Sequence, residues 1–230
     1  MAIAALLGIL GLAYLLGSFP TGFLLVKGLK GIDIRDCGSG GTGATNVLRT
    51  VGKGPALVVF GVDLLKGSAA VWLARWAFPL LLARFGDASG GVLTADVQPW
   101  VDMLAGLLAL LGHSRSVWLG FTGGKSVASG LGLLLAMAWP VALGVLGVFG
   151  LALGLSRIVS LGSMLAALAT IALMMVTGQP LAYVLLSILG GGYVILRHRG
   201  NIQRLLAGTE PRLGQSAKVA NPDLTASKES

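Results

Sequence analysis

No charged residue interrupts the stretches from Ala4 to Leu16 or from Ala142 to Leu155. Runs so continuous suit helices, whose backbone polar groups are satisfied within the segment, and together with the composition they make the chain read as a set of membrane helices. Composition agrees. Only 11% of the 230 residues are charged and 55% are hydrophobic, with a mean hydropathy of +0.85, whereas a soluble domain carries about 25% charged residues. An outer-membrane barrel would show short segments of alternating polarity, which these runs lack. The 36 glycines point instead to helices packed closely at small residues.

Division by charge, Pro and Gly gives seven apolar pieces, over 3–26, 56–82, 98–113, 126–139, 141–156, 159–177 and 180–196. The third and fourth are short for a bilayer. The first lacks a basic leader and is followed by Lys27, so it is expected to be a permanent helix, not a cleaved signal. Between the pieces, Lys27, Lys30, Arg35, Arg49, Lys53, Arg115, Lys125, Arg157, Arg197, Arg199, Arg204, Arg212, Lys218 and Lys228 fall on one side. Arg84, Asp87, Asp96 and Asp102 fall on the other. Because Lys and Arg accumulate in cytoplasmic loops, the expected fold is an all-α polytopic bundle of about seven transmembrane helices, N-terminus outside and C-terminus cytoplasmic. Residues 1–212 form the membrane domain, and 213–230, poor in apolar residues, form a tail expected to be disordered.

A net charge of +8 scattered between apolar spans suits anionic lipid or a phosphorylated substrate better than nucleic acid. Cys37 is the single cysteine, which excludes an internal disulfide or a cysteine metal cluster. Two distant histidines with few carboxylates near them make no metal ligand set, and no cofactor is expected.

Three segments on the basic side combine Gly with hydroxyl, amide and cationic side chains. The first is the run Gly38-Ser39-Gly40-Gly41-Thr42-Gly43-Ala44-Thr45-Asn46 with Arg49, where glycines let backbone N–H groups turn inward around an anion. Such runs also serve as flexible connectors, and Asn46 could brace the loop instead of binding a ligand. The second runs from Gly112-His113 to Gly123-Gly124-Lys125-Ser126. It lacks the spacing of a nucleotide loop, which leaves a Gly-Gly turn opening a helix with a Lys held towards a phosphate or snorkelling to the interface. The third, from Arg197-His198 through Asn201 to Glu210, reads partly as a short amphipathic surface helix. Asp63 and Lys66, at or within a span, are functional candidates or an ion pair that organises the loop above.

These segments occur in a fixed order with Gly17-Ser18-Phe19-Pro20, Asp63-Leu64-Leu65-Lys66-Gly67 and Ser160-Leu161-Gly162-Ser163. Over residues 12–213 the chain thereby resembles the bacterial membrane glycerol-3-phosphate acyltransferases that use acyl phosphate as donor, the PlsY family. The family usually has Asn at Gly41, Pro at Ser116 and Gly at Ser126. The resemblance implies attack of the 1-hydroxyl of glycerol 3-phosphate on a fatty acyl phosphate, giving lysophosphatidic acid and phosphate. Membrane lipids are expected around the protein, and no nucleic acid or obligate protein partner is inferred.

The site residues expected are Ser39, Lys125 and His198 for catalysis. Gly38, Gly40, Gly43, Thr45, Asn46, Arg49, Gly123, Gly124, Ser160 and Asn201 are expected to bind substrate. Neither His113 nor His198 has the Asp of a His-Asp acyltransferase pair at Trp118 or Gln203, and no nucleophile elbow is present. Direct transfer without an acyl-enzyme follows, with a substrate phosphate or a histidine as base. A small transporter of an anionic solute is the competing reading, although transport sites usually lie near the midplane.

Overall fold

A computed structural model of the chain describes residues 1–86 and 93–214. The expected disordered tail, apart from its first two residues, and Asp87 lie outside the described residues. Ten α-helices carry the described chain: α1 (Ala2–Ser18), α2 (Thr21–Lys30), α3 (Ala44–Thr50), α4 (Lys53–Phe85), α5 (Gln98–Ser114), α6 (Val127–Met137), α7 (Trp139–Ser156), α8 (Val159–Val176), α9 (Leu181–Arg197) and α10 (Arg199–Leu206). Each of the seven apolar pieces falls on this framework.

The first piece departs from the expected single helix. A proline has no N–H to donate and drives the residue before it out of the helical region, so the chain breaks at Phe19, whose ψ is 118°, and restarts after Pro20. By contrast α4 runs through Pro79 for 33 residues, beyond the expected piece at both ends. Four segments are long and apolar enough to cross a membrane: Ala2–Lys30 taken through its break, α4, α7 and α8. α9 and α10, bent by 57° to one another, would make a fifth only if taken together as one span. At 17 and 11 residues, α5 and α6 are shorter. The chain is an integral membrane helical bundle.

Lipid offers little hydrophobic drive for one helix to leave it for another, so association rests on close packing and hydrogen bonds. Two crossings are built that way. A Cβ on Gly67 of α4 would lie 2.2 Å from the Ser129 carbonyl oxygen of α6, and one on Gly132 would lie 1.9 Å from that of Leu64. Ser68 adds a hydrogen bond of 2.7 Å from its Oγ to the Gly132 carbonyl. Gly17 and Gly112 make the same reciprocal contact between α1 and α5. Around these crossings lie two larger apolar cores, one between α1, α4 and α5 and one between α5, α6, α7, α8 and α9. A third, formed by Val26, Ile34, Val47 and Val59, sits under the first polar loop and fixes it to α4.

At the end of the bundle away from the three polar segments, Arg75 of α4 pairs with fully buried Asp102 of α5 at 2.8 Å. Its guanidinium also donates to the Ala136 carbonyl of α6 and to the Tyr183 hydroxyl of α9 at 2.9 Å. Tyr183 in turn donates to Asp102 at 2.7 Å, and Gln98 donates to the other carboxylate oxygen at 2.8 Å. A buried ion pair holds only when its remaining hydrogen-bonding groups are satisfied, and here their partners tie four helices together.

Replacing Gly132 by Ala should lower stability in detergent by about 2 kcal/mol, because a backbone carbonyl cannot yield to the added methyl. Gly147→Ala, where a Cβ meets nothing within 4 Å, should leave the unfolding midpoint unchanged.

Candidate active site

The three polar segments close over a cavity of about 160 Å³ at one end of the bundle. The first is wrapped around Asn46, whose amide donates to the carbonyls of Ile34, Cys37 and Gly41 at 3.1, 2.9 and 2.8 Å. Its oxygen accepts from the Ser39 N–H at 2.9 Å. The side chain of Asn46 is therefore occupied by the loop, and its geometry is that of a brace. Gly38 stands at φ +57° with its Cα against the Asn46 oxygen, where a side chain would meet both strain and collision. Ser39, Gly43, Thr45 and Arg49 line the cavity. Gly38 and Gly40 turn the loop from outside that lining.

The second segment folds back on the end of α5. The Gly124 N–H donates to the His113 carbonyl at 3.2 Å, and Gly124 lies flat against the His113 ring with no space for a Cβ. Gly123 packs on the His113 carbonyl, and the carbonyls of Gly123 and Gly124 accept from Arg197 at 3.3 and 3.2 Å. Lys125 is thus delivered into the cavity from a rigid turn, while Gly123 supports it from behind. The two departures from the family pattern here have local reasons. Ser126 adopts φ +63°, which suits Gly, and its Oγ donates to the Leu110 carbonyl at 2.8 Å. Ser116 adopts φ −66°, a proline value, while its hydroxyl donates to the Ser18 carbonyl at 2.6 Å.

The third segment supplies a carboxylate that was not among the expected site residues. Glu210 is buried and accepts from Asn201 Nδ2 at 2.6 Å, Ser160 Oγ at 2.7 Å and Arg204 Nε at 2.7 Å. The Asn201 oxygen accepts from Lys125 Nζ, so Lys125, Asn201, Glu210 and Ser160 form one chain of hydrogen bonds along the cavity wall. Glu210 is the single acidic residue between Arg197 and Arg212. That isolation among cations was the signal in the sequence.

Arg49 and Lys125 line the cavity together with Asp63 and Glu210, and Arg204 and Arg197 stand near enough to act on Lys125. Burial lowers the Lys125 pKa to about 8, with the Glu210 carboxylate opposing that shift and Arg204, Arg49 and Arg197 adding to it. Burial likewise lowers the Arg49 pKa, against the pull of Glu210. For Glu210 burial favours the neutral acid, but the hydrogen bonds from Asn201, Ser160 and Arg204 outweigh it and hold the carboxyl below its ordinary range. His198 Nδ1 lies 2.7 Å from the Val194 carbonyl; a carbonyl can only accept, so Nδ1 carries the hydrogen and Nε2 is the acceptor. Burial lowers its pKa to about 4, which keeps the ring neutral.

Asp63, which lines the cavity, pairs with Lys66 at 2.8 Å, and Lys66 also donates to the Phe19 carbonyl at the α1–α2 break at 2.9 Å. Asp63 Oδ1 lies 3.7 Å from His113 Nδ1. The contact with Phe19 is that of an ion pair bracing the loop above it, while the place of Asp63 in the lining keeps the functional role open as well. Among the described residues no group of three His, Cys, Asp or Glu could hold a metal ion. Against the cavity lies an apolar cleft of about 140 Å³ between α6, α7, α8 and α9. Phe60, Ser126, Val127, Phe149 and Ser163 line both spaces.

The family model for glycerol-3-phosphate acyltransferase matches residues 7–208. This chain belongs to that family. The acyltransferase is 58% identical over 213 residues to the glycerol-3-phosphate acyltransferase of Acaryochloris marina, covering 90% of this chain and 92% of that one. It is 61% identical over 213 residues to glycerol-3-phosphate acyltransferase 2 of Rhizobium johnstonii, covering 90% and 95%. Among solved structures it is similar to PlsY, an integral membrane glycerol 3-phosphate acyltransferase. The glycerol 3-phosphate form of PlsY matches with a TM-score of 0.77 at 38% identity, over 91% of this chain and 96% of that one. The lysophosphatidic acid form gives 0.74 at 38%, over 91% and 95%.

Two outcomes follow for the acyltransferase. Glu210→Gln should cost about 3 kcal/mol of stability, since it leaves clustered cations without their buried counter-charge; the unfolding midpoint in detergent checks this. Lysine is cationic below its pKa and neutral above it, so kcat/KM for glycerol 3-phosphate should fall as pH rises through about 8. Lys125→Arg should remove that limb of the profile from whatever activity it retains.

Proposed function

We propose that this glycerol-3-phosphate acyltransferase takes its acyl group from a fatty acyl phosphate and passes it directly to the 1-hydroxyl of glycerol 3-phosphate, with lysophosphatidic acid and phosphate as products. One observation carries the reading: a polar cavity holding Arg49 and Lys125 lies against an apolar cleft and shares five lining residues with it. Both reagents are phosphates, and Arg49 and Lys125 meet the demand for two anion contacts. An acyl tail needs a dry channel leading away from the reacting carbonyl, and the cleft supplies it.

In this reading, Arg49, Lys125 and the loop groups at Ser39, Gly43 and Thr45 hold the phosphates, with the Gly124 turn behind Lys125. Asn201 and Ser160 act through Glu210 to fix Lys125 and the cavity wall. Lys125 and the loop N–H groups stabilise the oxyanion that develops as the hydroxyl adds to the carbonyl. The acyl phosphate already carries a good leaving group, so no acyl-enzyme is needed. His198 presents Nε2 as an acceptor that orients the hydroxyl, but with a pKa of about 4 it is a poorer base than a substrate phosphate, whose second pKa is near 6. The proton therefore passes to phosphate. His113, whose ring is covered by Gly124, seats the turn.

His198→Gln should keep a measurable rate at saturating substrates while raising KM. Near-total loss of turnover with binding retained would reject phosphate as the base. Lys125→Met should lower kcat/KM at least about 100-fold. Radiolabelled glycerol phosphate with acyl phosphate should yield lipid product from purified protein; uptake into vesicles without acylation would identify a carrier instead.

The site is proposed to face the cytoplasm of a bacterial inner membrane, with seven spans and the N-terminus outside. Lys27, Lys53, Arg115 and Arg157 flank the helix ends nearest the cavity, as inward loops require. With Cys37 replaced by Ser, a cysteine at exposed Lys30 should react with an impermeant maleimide in inside-out vesicles and not in intact cells.

A further inference from the structure

We propose that Met174 and Tyr183 form the floor of the apolar cleft and set the longest acyl chain it accepts; the inference rests on the acyl-transfer reading above. The cleft opens from the polar cavity at Phe149 and Ser163. From Ser163 to Met174 along α8, and from Val194 to Tyr183 along α9, the path is eleven residues, roughly 16 Å at about 1.5 Å per residue. Small residues such as Ala167 and Gly191 line its middle, so chain volume is free there. At the far end it is not.

Met174 is 1% exposed and Tyr183 6%, and behind them Met137, Val141 and Ala142 are packed in the same buried cluster. Tyr183 cannot swing aside, because its hydroxyl donates to Asp102 at 2.7 Å and accepts from Arg75 at 2.9 Å. The ion pair that ties four helices together thus also holds the end wall of the cleft. An extended hydrocarbon advances about 1.25 Å per carbon, from a C–C bond of about 1.52 Å. The cleft therefore holds roughly 13 carbons beyond the polar cavity.

Selection by length here takes a particular form. A methylene moving from bilayer to cleft gains no hydrophobic free energy, since lipid tails are as apolar as the side chains. Successive carbons are accepted with similar kcat/KM until the floor is met, and a longer chain must then buckle against a packed wall or bend out through the open side of the cleft. The result is a cut-off and not a gradient.

The experiment measures kcat/KM for acyl phosphates of increasing chain length at saturating glycerol 3-phosphate, in the full-length protein. The unaltered enzyme should show a drop of about tenfold past its cut-off, the size of an overpacking penalty. Met174→Ala, which opens the floor, should move that drop to chains about two carbons longer. Thr170→Leu, one turn nearer the cavity on α8 and half-buried, should move it to shorter chains, with KM for glycerol 3-phosphate unchanged. A wild-type profile without a drop, or a drop that stays in place in both variants, overturns the floor while product formation upholds acyl transfer. Absence of lipid product at every chain length in the unaltered protein would overturn the acyl-transfer reading itself. Should Met174→Ala fail to fold, the direction of the Thr170→Leu shift decides the matter.

Discussion

The site depends on one carboxylate. Around the polar cavity the fold collects Arg49, Lys125, Arg197 and Arg204, and such a cluster repels itself unless a counter-charge stands among them. Glu210 meets this by accepting from Arg204 directly and from Lys125 through Asn201, so the cationic wall is held in place without being neutralised. Hydrogen bonds to a charged group are worth roughly twice neutral ones, and three converge on Glu210. With Arg197 and Arg204 just behind the lining, cations outnumber carboxylates around the cavity, and on the proposed reading an incoming phosphate would find its partners already oriented. Low dielectric strengthens that attraction, and the same burial brings the Lys125 pKa near neutrality.

Much of this was readable from residues in a line. Continuous apolar runs located the helices because a membrane leaves few other structures available, and charge bias between them put the polar segments at one end. The Gly-rich turns were readable because left-handed backbone and close approach need Gly, as at Gly38 and Gly124. Arg49, Lys125, His198 and Asn201 do reach one cavity. The rest depended on contacts that no local pattern encodes. Ser160 meets Glu210 across 50 residues and Lys125 meets Asn201 across 76. Asn46 was expected among the ligands, with a bracing role left open, and only the loop wrapped around it distinguishes the two.

The Arg75 network was also hidden, for a different reason. A cation inside an apolar span is a signal in itself, but its partners sit on three other helices, 27 to 108 residues away. Likewise Pro20 marked a break whose purpose lay elsewhere: the Phe19 carbonyl freed there accepts from Lys66. In both cases a polar group in lipid found its complement only after the bundle closed.

The shortness of α6 has a geometric consequence. From their shared turn at Ala138, α7 rises 18 residues before it ends and α6 only 11, a difference of roughly 10 Å at about 1.5 Å per residue. The turn bearing Lys125 is thereby sunk below the level at which its neighbour emerges. On the proposed reading, a turn set at that depth would let a fatty tail stay immersed from arrival to departure.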